Sequence, residues 1–173
     1  MKRMQIIIGG VILVAVVWIV RIAITPAPGN RMKDEGREHV SAQEVEKTLY
    51  NSNPPTSGQH TVTWVKPGIY KAPQSEGELL HSLEHGYVVI HYNCAVHKKA
   101  NESEACKTLI TDLESIANKK KLFKLIVVPR PQLDTTIALT AWNYIDKFDS
   151  FDKKRIEKFI DYHRDHGPEK TME

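Results

Sequence analysis

One uncharged apolar run near the N-terminus constrains this chain more than any other feature. Lys2 and Arg3 precede Ile6 to Val20, a stretch without a charge, and Ile22, Ala23 and Ile24 carry it beyond Arg21. At about 1.5 Å per residue, roughly 20 helical residues span a bilayer core of about 30 Å. Arg21 lies near the far end, where its stem can carry the guanidinium to the headgroups. A cleaved signal peptide is the rival reading, and it calls for a shorter apolar core and a small-x-small cleavage site. Here the run is long, and Ile24-Thr25-Pro26-Ala27-Pro28 sets prolines where a peptidase needs an extended, accessible bond. Residues 1–24 are therefore expected to be a single-pass signal anchor in the cytoplasmic membrane. Lys2 and Arg3 directly before the span outweigh Arg31, Lys33 and Arg37, which Asp34, Glu35 and Glu38 dilute. The N-terminus then stays inside and the remainder faces out.

Lys2, Arg3 and Arg21 account for the whole formal charge of +3, and beyond them basic and acidic residues balance. A domain balanced in this way offers no electrostatic footprint to phosphate backbones, so nucleic acid is not an expected partner. No feature of the sequence singles out a protein partner. The two cysteines are Cys94 and Cys106. In an oxidising exterior two thiols commonly pair. Their positions, just after a strand and in the first turn of a helix, allow the intervening loop to be closed. The alternative is two unpaired thiols, with Cys106 on the apolar face of its helix.

Residues 25–40 are rich in proline, glycine and charge, which reads as a flexible linker. Residues 41–173 then form a single globular extracytoplasmic domain. Ser41-Ala-Gln-Glu44 is a capping box and predicts a short helix to about Leu49. Asn51 to His60 is neither helix nor central strand, because Pro54 and Pro55 lack donors and Gly58 breaks regularity. Leu79, Leu80 and Leu83 mark one face of a short helical segment that Gly86 ends. Tyr87 to Tyr92 reads as a central strand, apolar on both faces. Cys106, Leu109, Ile110, Leu113 and Ile116 recur at helical spacing. Leu122–Val128 and Thr135–Trp142 are further strands, and Ser150 or Asp152 caps a last helix with Ile156, Phe159 and Ile160 inward. The order β-α-β-β-α predicts an α/β (α+β) sandwich, a small sheet with helices packed on it.

Eight histidines matter less by number than by placement. His81-Ser-Leu-Glu84-His85 sets two imidazoles at i and i+4, one turn apart on one side of a helix and within reach of a shared divalent ion. They point away from the Leu79 and Leu83 stripe. The proline-rich segment ending at His60 is the natural cover and supplies a third nitrogen. Against this stands the plain reading, in which exposed histidines at this spacing do nothing. His91 is a strand residue, His97 a loop residue, His39 part of the linker, and His163 a packed residue on the apolar face of the last helix. His81-x-x-Glu84-His85 also matches the inverted zincin motif, with two zinc-binding histidines and a glutamate that activates water. That motif needs a sustained helix, and Gly86 ends this one at once. Thiol–disulfide exchange is disfavoured because the chain has no C-x-x-C.

Taken together, Asn53-Pro-Pro-Thr-Ser-Gly58-x-His60, Gly68-x-Tyr70, His81-x-x-Glu84-His85-Gly86, Pro129-x-Pro131 and Ala138-Leu-Thr-Ala-Trp142 make a specific set. With the C-terminal His166-Gly-Pro-Glu169, they resemble domain-of-unknown-function family 3105 over about residues 45–170. The resemblance implies a domain carried behind a membrane anchor and brings no established reaction. It also implies that His60, His81, His85, Glu84 and the His166 end belong to one pattern, and polar motif positions in loops more often serve a site than a core.

The expectation is a domain that binds a transition metal through His60, His81 and His85, with Glu84 and His166 as further candidate ligands. Three imidazoles without a thiolate suit Zn(II) or Cu(II), and the methionines form no cluster suited to Cu(I). A structural or interaction module of the envelope without metal is the alternative. A hydrolase in which Glu84 is catalytic is the third reading, so enzymatic activity is left open.

Overall fold

Val88–Tyr92 is buried at every position, as the apolar run predicts, and in the computed structural model it is a central strand of one six-stranded sheet. The structure describes residues 26–96 and 102–171; the expected anchor at 1–24 and His97 lie outside them. Among the described residues, no helix is long and apolar enough to cross a membrane.

In chain order the elements are β1 (Asn30–Arg31), α1 (Ala42–Val45), β2 (Gly68–Ile69), α2 (Glu76–Glu84) and β3 (Val88–Tyr92). After these come α3 (Glu102–Lys119), β4 (Leu125–Pro129), β5 (Ile137–Ala141), β6 (Tyr144–Phe148) and α4 (Lys153–His163). The strands lie in the order β1-β6-β5-β3-β4-β2. β3 and β4 run parallel, joined through α3, and β2 adds parallel to β4. β5, β6 and β1 continue the other side antiparallel. The fold is thus mixed α+β.

Alternation along β3 divides the core in two, because successive side chains point to opposite faces. Val88, Ile90 and Tyr92 join Leu113 and Ile116 of α3 and Ile156, Phe159 and Ile160 of α4. Val89 faces the other way and packs with Leu79, Leu80 and Leu83 of α2, together with Val65 and Tyr87. The second face is the one that carries the histidines. Cys94 and Cys106 stand at disulfide distance at the α3 side, with Cα atoms 5.5 Å apart.

Three expectations are corrected. The segment read as a flexible linker is bound to the domain: Asn30 and Arg31 pair with Ile145 and Tyr144, and Met32 N–H donates to Asn143 O at 2.8 Å. These are backbone bonds, to which side-chain polarity is no obstacle. The β-α-β-β-α order lacks β6, whose Asp146 and Lys147 break the apolar pattern; Arg155 and Asp134 pair with them. The Ser41–Glu44 capping box is present, but its helix stops at Val45.

Candidate metal centre

The loop that approaches α2 is held from both sides. Gly58 N–H donates to Gly36 O at 2.8 Å, His60 N–H to Glu38 O at 3.0 Å, and Val40 N–H to His60 O at 2.8 Å. A parallel bridge between His39 and His60 results, and it sets the two rings 4.8 Å apart. Beyond it, Val65 N–H donates to Ser82 Oγ at 3.1 Å and Ser82 Oγ reaches Val65 O at 3.0 Å, which pins the loop onto the helix. A small hydroxyl at position 82 therefore does what a larger residue would prevent.

Backbone carbonyls fix the tautomers of two rings. His60 Nδ1 lies 2.8 Å from Gly58 O, and His81 Nδ1 lies 2.7 Å from Thr61 O. A carbonyl only accepts, so each Nδ1 carries a proton, and in the neutral ring Nε2 presents its lone pair inward. Gly58 can turn its carbonyl this way because its φ is +115°, a conformation open to glycine. A backbone carbonyl on the far nitrogen is also how metal-ligating histidines are commonly oriented.

The two lone pairs meet different neighbours. His60 Nε2 faces Glu84 Oε2 at 3.0 Å, with both side chains buried. Two bare acceptors at that distance repel, so a cation, either a proton or a metal ion, belongs between them. His81 Nε2 faces His85 Nε2 at 3.0 Å. His39 joins from the bound strap: its ring stacks on His81 at 4.9 Å, and its Nε2 lies 3.6 Å from Glu84 Oε2. The side chain of His39 is 42% exposed, so the cluster opens to solvent there. Burial holds His81 below the usual imidazole range, and the neighbouring rings of His85, His60 and His39 add to this against the Thr61 carbonyl. His81 is thereby kept in the neutral form that a metal ligand needs.

His39, His60 and His81 offer ligand nitrogens that all lie within 4.8 Å of one another. Zinc–imidazole bonds of about 2.0–2.1 Å would hold neighbouring nitrogens about 3.3 Å apart, so a bound ion would require the widest pair to close by up to about 1.5 Å. Of the expected ligands, the structure brings His60 and His81 together. His85, expected as the third, is not one of this triad; its Nε2 lies 3.0 Å from that of His81, and its Nδ1 is buried without a hydrogen-bond partner among the described residues. His39 takes its place. His39 lies in no helical or strand period that could mark it, and only the pairing of residue 39 with residue 60 reveals it. Glu84 is at the centre, also 3.8 Å from Arg37 Nη1.

His166 is not among the imidazoles brought together, and lines a separate pocket with Tyr144, Tyr162 and His163. The role of its motif is mechanical. Glu169 N–H donates to Glu84 O at 3.1 Å and Asp165 N–H to Gly86 O at 2.8 Å, so the chain's end clamps the C-terminus of α2. Gly167 lies so close to the Glu84 carbonyl and Gly86 that a side chain has no room. Lys124, which no motif or period marks, is buried beneath this clamp. Its Nζ donates to His85 O at 3.0 Å, Asp165 Oδ1 at 2.6 Å and Thr171 O at 3.1 Å. A cation at the C-terminal carbonyls of a helix complements the helix dipole.

A family model described as "Protein of unknown function (DUF3105)" matches residues 39–173, a span that begins at the first histidine of the triad. No curated protein matches the chain, and no solved structure does.

Proposed function

The chain belongs to the DUF3105 family, and from that premise we propose that it is a membrane-anchored extracytoplasmic domain that coordinates a transition-metal ion through His39, His60 and His81. The observation that carries the proposal is the pair of fixed tautomers. Gly58 and Thr61 hold the Nδ1 protons of His60 and His81, so that in the neutral rings both Nε2 atoms turn their lone pairs to the cluster. Histidines that merely pack have no use for two such arrangements side by side. Glu84 adds a buried carboxylate that offsets the charge of a divalent ion. Imidazole and carboxylate without thiolate favour Zn(II) or Cu(II).

The outer location is supported by the apolar run at 6–24 and the charges before it. Elemental analysis of the full chain, purified in detergent, tests the metal. About one equivalent of zinc or copper is expected in the wild type. Unchanged metal content in a His60→Ala, His81→Ala double variant ends the proposal.

A further inference from the structure

The strap that supplies His39 also limits how far the domain can stand from its anchor. Pro28 O accepts a hydrogen bond from His163 Nε2 at 2.8 Å, Gly29 lies against Phe159, and Asn30 opens β1. Only Thr25, Pro26 and Ala27 separate this bound backbone from Ile24, the last residue of the apolar run. Extended chain covers at most about 3.6 Å per residue, so Pro28 stays within roughly 14 Å of the end of the span. The β1–β6 edge and the His163 end of α4 are therefore held within reach of the bilayer, and α4 is the helix that can lie along it.

α4 is dressed for such a surface. Its acidic residues are occupied: Glu157 pairs with Lys119, Asp161 with Lys120, and Asp146 of β6 takes Arg155. Lys153, Lys154 and Lys158 are exposed, and neither Lys154 nor Lys158 forms an ion pair among the described residues. Phe151, just before the helix, is 38% exposed, and Tyr162 in its last turn is 51% exposed. At about 100° per residue, Lys154, Lys158 and Tyr162 fall on one stripe, with Phe151 leading into it. Lysines flanked by exposed aromatics suit an anionic lipid headgroup layer.

We infer that α4 is a membrane-contact surface: Lys154 and Lys158 engage anionic lipid headgroups while Phe151 and Tyr162 insert at the interface. The inference rests on the reading of residues 1–24 as a span. β2 lies at the opposite edge of the sheet, about five strand spacings or roughly 24 Å away, and Lys66 and Lys71 beside it are exposed. These two residues serve as internal controls.

The full chain is placed in nanodiscs of phosphatidylcholine, alone or with one third phosphatidylglycerol, and its lysines are acylated and quantified by mass spectrometry. In the anionic discs Lys153, Lys154 and Lys158 are expected to react about threefold to fivefold more slowly than in detergent micelles, with Lys66 and Lys71 nearly unchanged. A Phe151→Ser, Tyr162→Ser variant, altered only at exposed positions, is expected to regain most of the α4 reactivity. Equal protection at both edges, no protection at α4, or the same protection without phosphatidylglycerol overturns the surface and leaves the span standing. Release of the chain from membranes by alkaline carbonate overturns the span and the surface together.

Discussion

His81 and His163 occupy opposite faces of the same sheet, are both buried, and each bonds a backbone carbonyl. Burial lowers the proton affinity of both rings. What separates them is which nitrogen the carbonyl takes. At His81 it takes Nδ1, the nitrogen nearer the backbone, so the outer Nε2 is left to meet other imidazoles. At His163 it takes Nε2, among the rings of Tyr144, Phe159 and Tyr162, so the outer nitrogen is spent tying Pro28 to the helix. One arrangement turns a nitrogen toward a cluster that could hold a metal ion, and the other makes a clasp. A histidine count or burial alone cannot tell them apart.

The largest expected effect tests this contrast directly. His81→Ala removes a ligand and should weaken zinc or copper binding by about a hundredfold or more, measured by competition with a chelator. His163→Ala should leave affinity within about twofold; equal losses in the two variants would erase the distinction. Next comes Lys124→Met, which removes the ammonium beneath His85 O and should cost about 3 kcal/mol in urea unfolding. Comparison with His163→Ala sharpens the contrast on the stability side. Losing the Pro28 clasp and its ring contacts should cost about 2 kcal/mol with metal content intact.

The smallest effect is on pH dependence. Burial, aided by the charge of Arg130, holds His91 well below the usual imidazole range. The unfolded chain then binds more protons than the native one below its own imidazole value of about 6.5. Stability from this residue is complete above that value and is lost as pH falls toward the depressed native one. A His91→Gln variant should therefore lose about 1 to 2 kcal/mol less between pH 7 and 5 than the parent, measured by thermal melts at each pH. An unchanged slope would mean that His91 is not held neutral in the native state.

The sequence was a good guide where structure is repetitive. β3, α3 and β4 follow from runs and spacings that burial on both faces, or on one stripe, imposes. His60, His81 and Glu84 were readable because a motif placed them at a helix turn and at the end of a proline loop. β1, β2 and His39 were not. A two-residue strand has no period, and the strap from Gly36 to Val40 is held by main-chain bonds to Gly58 and His60, which residue type does not encode. The i, i+4 argument put His85 on the correct side of α2, beside His81. It could not see that a more distant strap would bring a third ring into the cluster.

That strap has a practical consequence for anyone shortening the protein from its N-terminus. Severed at residue 41, where the capped helix begins, the polypeptide would lose the edge strand against Tyr144 and Ile145, uncover Phe159, and retain two of three imidazoles. Such a preparation would behave as a poor chelator with an adhesive flank, and both traits would come from the scissors. The cut belongs between the apolar run and Pro28.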